Sequence, residues 1–150
     1  MRKLTEVEEA TALMNEAVEW SVMRWLKEKK RVRKIADRAN DALDQSMEQT
    51  KARWSQDLLA AYAELAGPEI AKDARTADGG LRAFAKEMKR AAEDAYRARM
   101  DAEDTFDEAE SQLSTRLARE GCRKAIHSWD LHEKAIRKAE TAIGSRQFAS

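Results

Sequence analysis

Glycine and proline are placed so unevenly along these 150 residues that the backbone has one obvious point of reversal. The stretch AELAGPEIAKDARTADGGL, residues 63–81, holds the only proline, Pro68, and Gly67, Gly79 and Gly80. No Gly or Pro precedes it, and Gly121 stands alone between Leu81 and Ile143. In a helix interior Gly costs about 1 kcal/mol and Pro about 3 relative to Ala. A chain that confines both to its middle reads as two long helices joined by one turn. There is no run of β-branched residues and no period-two alternation, so no strand is expected.

Both arms carry a helical stripe. In the first, Thr5 and Glu8 stand at capping-box spacing. Leu4, Val7, Met14, Val18, Val22, Trp25, Val32, Ile35, Ala39, Leu43, Met47, Trp54, Leu58, Tyr62 and Leu65 then recur every three or four positions. This predicts one helix over about 4–66, closed by Gly67. The second arm repeats the pattern over about 81–143 through Leu81, Phe84, Met88, Ala92, Tyr96, Phe106, Ala109, Leu113, Leu117, Ala125, Trp129, His132, Ile136 and Ile143. Asp78 is the expected N-cap and Gly144 the stop. Pro68 starts a short capped turn within the tip, 67–80, and residues 144–150 are a frayed tail.

The predicted fold is therefore all-α and a single domain: a long antiparallel two-helix coiled-coil hairpin. Arms of roughly 62 residues at about 1.5 Å each would reach ~95 Å. Folding about the tip sets residue i opposite about residue 146 − i. Trp25 then faces Gly121, Trp54 faces Ala91 and Ala92, Trp129 faces Ala17, and Phe106 falls beside Ala39 and Asn40. Each large ring meets a small residue, as interdigitation requires. The stripe widens at Val22, Met23, Trp25 and Leu26. A dimer partner could cover that surplus and complete a four-helix bundle.

Charge bears on partners. Lys plus Arg and Asp plus Glu number 28 each, a net charge of zero, which argues against a general nucleic-acid binder. Locally the balance fails. Residues 24–38, RWLKEKKRVRKIADR, are strongly basic, and 101–110, DAEDTFDEAE, carry acids and no base. In the hairpin register the acidic block lies beside 36–45, so the two patches flank each other without neutralising in place. Solvated faces of a charged coiled coil explain both; so does steering onto a partner.

Chemistry-bearing groups are sparse. Cys122 is the only cysteine, so no intrachain disulfide forms. Cys122 and His127 project from different faces of a helix and do not make a nucleophile pair. Neither His127 nor His132 has the Glu three residues earlier that a di-iron bundle uses; His132 falls on the seam as a packed histidine. Asp101, Asp104 and Glu108 share a face with no loop to close a metal shell. No Gly-rich phosphate loop is present. No catalytic, cofactor-binding or metal residue is assigned, and a non-enzymatic protein is expected. The first twenty residues have no uninterrupted apolar core, and no stretch has the ~18 apolar residues of a membrane span. The expected location is cytoplasmic.

The stretch ARWSQDLLAAYAELAG entering the tip, and RLAREGCRKAIHSWDLHEKAIRKAE in the second arm, resemble the stalk and escort proteins of type III secretion (the FliJ/YscO family). That resemblance implies a cytosolic hairpin that contacts a secretion ATPase, the export gate and secretion chaperones. The neutral charge departs from the many basic members, and EWSVMRWLKEKKRVRK has no counterpart in the pattern. A structural homo-oligomer, or a scaffold on an anionic membrane surface, is the alternative. The partner-binding candidates are Trp20, which lies off the main stripe and is expected to be exposed; Arg24, Lys27, Lys30, Arg31 and Lys34 of the basic block; and Pro68 and Glu69 at the tip.

Overall fold

A computed structural model describes residues 4–64 and 70–145, with side chains over 4–53 and 86–141. Every element in it is an α-helix: α1 (Thr5–Ala17), α2 (Val22–Glu64), α3 (Ile70–Gln112) and α4 (Thr115–Ser145). The chain is all-helical and hairpin-built, as its pattern predicts. Each predicted arm, however, is divided. The first turns back at residues 18–21 and the second at Leu113–Ser114. The expected caps fall differently too. Thr5 is already the first residue of α1, and its N-cap, Leu4, makes no side-chain cap bond. Backbone helix runs from Ile70 through Asp78, Gly79 and Gly80, and through Gly144 to Ser145. A glycine weakens a helix by about 1 kcal/mol without ending it.

The two corners are closed by local chemistry. At the first, Glu19 N–H and Trp20 N–H donate to the carbonyls of Glu16 and Ala17, tightening the last turn. Ser21 Oγ then accepts from Arg24 N–H at 3.3 Å and caps α2. At the second, Leu113 takes φ 49°, in the left-handed region. Its N–H donates to the Glu110 carbonyl, and Ser114 N–H donates to the Ala109 carbonyl. Those two bonds form a Schellman motif with leucine where glycine is usual. Ser114 Oγ caps α4 by accepting from Leu117 N–H at 3.2 Å. The corners meet at one end of the bundle, where Val22 N–H donates to Thr115 Oγ1 at 3.0 Å.

That junction sets the topology. α4 turns back along α3, with Lys124 on Asp101 and Lys138 on Glu87, the same step along each helix. α1 turns back along α2, where Arg24 meets Glu16. α4 also packs on α2 and α1 and is central, while α2 and α3 barely touch. So the four helices come from one chain, and the most extensive seam joins α3 to α4. A two-helix seam would have left the widened stripe half wet. Folding back buries its Val22 and Trp25 and leaves Met23 outside.

The core follows the predicted stripes closely on α1 and α2: Val7, Met14, Trp25, Val32, Ala39, Leu43 and Met47 are all buried. On α3 the buried row is Met88, Ala95, Ala102 and Ala109, a strict heptad of mostly small residues. Ala118, Ala125 and Ala139 continue such a row on α4. Small side chains let helix axes approach, and a seven-residue repeat keeps one row facing the partner.

The expected ring pairings change partners. Phe106, expected beside Ala39 and Asn40, lies against Gly121. A Cβ at Gly121 would sit 2.5 Å from two Phe106 ring carbons. Trp25, expected on Gly121, instead stacks on Phe106, with centroids 4.3 Å apart and planes 8° off parallel. Trp129, expected opposite Ala17, donates its Nε1–H to Asn40 Oδ1 at 2.9 Å. A glycine still admits a ring, but the ring belongs to α3 because α4 folds onto α3. The side chain of Trp54 lies outside the described residues.

Candidate interaction surfaces

The fold sorts the residues singled out in the sequence into three groups. Trp20 is not exposed: only 3% of its surface remains accessible. It was off the stripe of a continuous helix, but the corner at 18–21 ends that helix and turns the ring inward. The Arg24 guanidinium covers it at 4.7 Å, a cation–π contact, while also pairing with Glu16 at 3.7 Å. Trp20 Nε1 has no hydrogen-bond partner among the described residues. Arg24 is thereby engaged within the corner.

Lys27, Lys30, Arg31 and Lys34 are exposed on α2. Arg31 pairs with Glu28 at 3.3 Å. No ion pair holds Lys27, Lys30, Lys34 or Arg38 among the described residues. With Arg24, the residues Lys27, Arg31, Lys34 and Arg38 follow a three–four spacing, so the charges form one stripe on the face of α2 away from the core. Pro68 and Glu69 lie outside the described residues.

The acidic block is not where the hairpin register put it. The Val22–Thr115 bond makes the start of α2 level with the end of α3. Residues 101–110 therefore stand beside about 29–42, shifted toward the basic block from the 36–45 of the hairpin register and still overlapping it. Lys29 Nζ reaches Glu110 Oε2 at 3.3 Å. Further up, where α2 turns acidic, Arg99 reaches Asp44 at 3.3 Å.

Between those two bridges the separation of α2 from α3 leaves a trough of about 260 Å³. Its floor includes Trp25, Phe106, Ala125 and Trp129; its walls carry Arg33 and Asp37 on one side and Glu103 and Asp107 on the other. A second pocket of about 190 Å³ continues it toward Met47 and Tyr96, sharing Asn40, Arg99, Ser128 and Trp129. This trough had no counterpart in the sequence reading, which paired the two arms directly. Its only signal was the wide stripe at 22–26. Met23, part of that stripe, points outward and is 66% exposed.

The titratable groups in the core are poorly suited to chemistry. Burial pushes the Cys122 thiol up to about 12, with Arg123 opposing, so it is not a nucleophile near neutral pH. His132 is half-buried. Burial holds its pKa below the ordinary value, Asp44 opposes, and Arg99 and Lys51 act with burial. Asp101 is occupied by Lys124. Among the described residues no three His, Cys, Asp or Glu side chains gather as a metal site, and no helix is long and apolar enough to cross a membrane. Comparison of the chain with protein-family models, curated proteins and solved structures returns no match.

Proposed function

We propose that this chain is a non-enzymatic protein-interaction component, a rigid helical unit that docks an acidic protein through the outer stripe of α2. One observation carries the reading: Lys27, Lys30 and Lys34 are exposed, share a helix with Arg31, and have no ion pair among the described residues. Unpaired like charges on a rigid face raise the encounter rate of an oppositely charged surface. Net neutrality weakens long-range attraction to a polyanion such as nucleic acid. The buried, high-pKa thiol and the charge-paired Asp101 support the non-enzymatic part.

Within that class, the cytosolic stalk or escort of a type III secretion apparatus is the narrower proposal, and it rests on the sequence resemblance. The test is a tagged pull-down from the native host, read by mass spectrometry, with wild type beside the triple variant K27E/R31E/K34E. The expected outcome is an acidic partner held by wild type and lost by the variant. A secretion ATPase, export-gate component or chaperone as that partner supports the narrower proposal. An identical set of proteins on both baits contradicts the docking stripe. Binding to anionic vesicles with no protein recovered favours the membrane-surface alternative.

A further inference from the structure

The most exposed row of α2 does not begin with a base. Met23, Lys27, Lys30 and Lys34 follow one another at steps of four, three and four residues, so they share one face of the helix. Met23 is 66% exposed, and the three lysines after it are exposed and have no ion pair among the described residues. A second apolar side chain stands at the same end of the bundle. Leu113 is 61% exposed and takes no part in the buried core. The Val22–Thr115 hydrogen bond holds the two corners together there, one residue from Met23 and two from Leu113. Among the described residues these are the two most exposed of the large apolar side chains.

Leu113 is also held in a backbone conformation that does not suit it. At φ 49° it is the only non-glycine residue with positive φ among the described residues. It closes a Schellman motif in which glycine is the relaxed choice. The leucine therefore destabilises its corner and adds little to the packing. Strain kept at an exposed apolar residue is explained by a contact outside the fold. We propose that Met23 and Leu113 form an apolar anchor at the corner end of the basic row, and that its occupant is an acidic peptide segment with an apolar residue at one end. This rests on the acidic-docking reading of the stripe and adds a direction to it. Unpaired lysines along the roughly 16 Å from Met23 to Lys34 select carboxylates at matching steps. The anchor fixes which end of the segment lies at the corner. A bilayer fits this surface less well. A helix that lies on lipid presents a broad apolar face bordered by bases, and here a single methionine heads a row of lysines.

The test is fluorescence anisotropy on the full chain with three labelled synthetic peptides. All share one acidic helical sequence with glutamates at three–four spacing. One carries two leucines at its N-terminal end, one carries them at its C-terminal end, and one has serines in their place. At about 0.05 M salt, where screening is weak, one leucine peptide is expected to bind at least about tenfold tighter than the serine peptide. Leu113→Gly and Met23→Ser are each expected to cut that preference by about threefold or more, with the serine peptide bound as before. Leu113→Gly is expected to do so while melting at or above the parent temperature, which separates lost binding from lost folding. K27E/K30E/K34E is expected to lose all three peptides. Equal affinity of the three peptides for wild type overturns the anchor, and their loss from K27E/K30E/K34E then leaves acidic docking standing. A preference unchanged in both Leu113→Gly and Met23→Ser also overturns it. Failure of every peptide to bind overturns the docking reading and the anchor with it. Vesicles of phosphatidylcholine and phosphatidylserine that hold wild type and release Met23→Ser, with no peptide bound, assign this end to lipid and overturn the proposal.

Discussion

α3 meets α4 and α2 faces α3 in opposite ways. The α3–α4 seam is lined by Ala95, Ala102 and Ala109 against Ala118, Cys122 and Ala125, all buried. The α2–α3 side is a trough with charged walls, spanned by Lys29–Glu110 and Asp44–Arg99. α3 contributes to both and presents small residues every seventh position to one side and long charged residues to the other. Small side chains let helix backbones close and leave little room for water. Long charged side chains must keep their heads solvated, so they hold their helices apart and bridge the gap. One side of α3 is therefore spent on folding, and the other stays open.

The sharpest way to break that contrast is to damage the ring stack between the two sides. Trp25 is buried and stacked on Phe106, and Trp25→Ala is expected to cost about 3–5 kcal/mol in denaturant unfolding. A loss under about 1 kcal/mol would show that the stack is not part of the core. Gly121→Ala probes the closed seam next. A methyl there gains about 1 kcal/mol of helix propensity. It also collides with a Phe106 ring already held against Trp25, and overpacking of this kind costs about 1–3 kcal/mol. Net destabilisation is expected, larger for Gly121→Leu; a parent-like or higher melting temperature for Gly121→Leu would contradict the contact.

The open side should respond far less. Lys29→Met removes one bridge across the trough, but both partners are partly exposed, so the expected cost is under about 1 kcal/mol and fades with salt. Leu113→Gly should raise stability by about 0.5–1 kcal/mol. The leucine is 61% exposed and sits at φ 49°, where glycine has no Cβ to clash. A loss on thermal melting would mean that the corner has another conformation. The last effect depends on pH. His132 has its pKa lowered on folding, so below the unfolded value near 6.5 the unfolded chain binds more protons and stability falls as pH drops. His132→Gln should flatten the melting-temperature profile between about pH 7 and 5. Glu133, raised mainly by burial, acts oppositely, in the carboxylate range.

The helices and the α1–α2 core were legible in the sequence because three–four periodicity reports burial directly. The corners were not. Val18 and Val22 keep the stripe in phase across the first break, and Ala109, Leu113 and Leu117 across the second. Turns that preserve the spacing are invisible to periodicity. Ser21 and Ser114, each an N-cap, were the available signals, but this chain also places serines inside its helices, as at Ser46 and Ser128, so they do not stand out. Trp20 was misplaced for the same reason: its face was counted on a helix that ends three residues earlier. The charge blocks were found but set at the wrong height, because the height is fixed by the Val22–Thr115 bond, a contact with no local signature. The trough depends on both corners together.

The folding back of α4 on α3 carries all of this, and a distance measures it. Spin labels at Asp101 and Lys124, on a Cys122→Ala background, are read by double electron–electron resonance. In the folded-back chain Lys124 Nζ is 3.2 Å from Asp101, so the labels are expected within about 20 Å, allowing for their own length. An unbroken second arm would separate the two positions by about 35 Å along one helix. A distribution centred there would contradict the four-helix arrangement and the open face that follows from it.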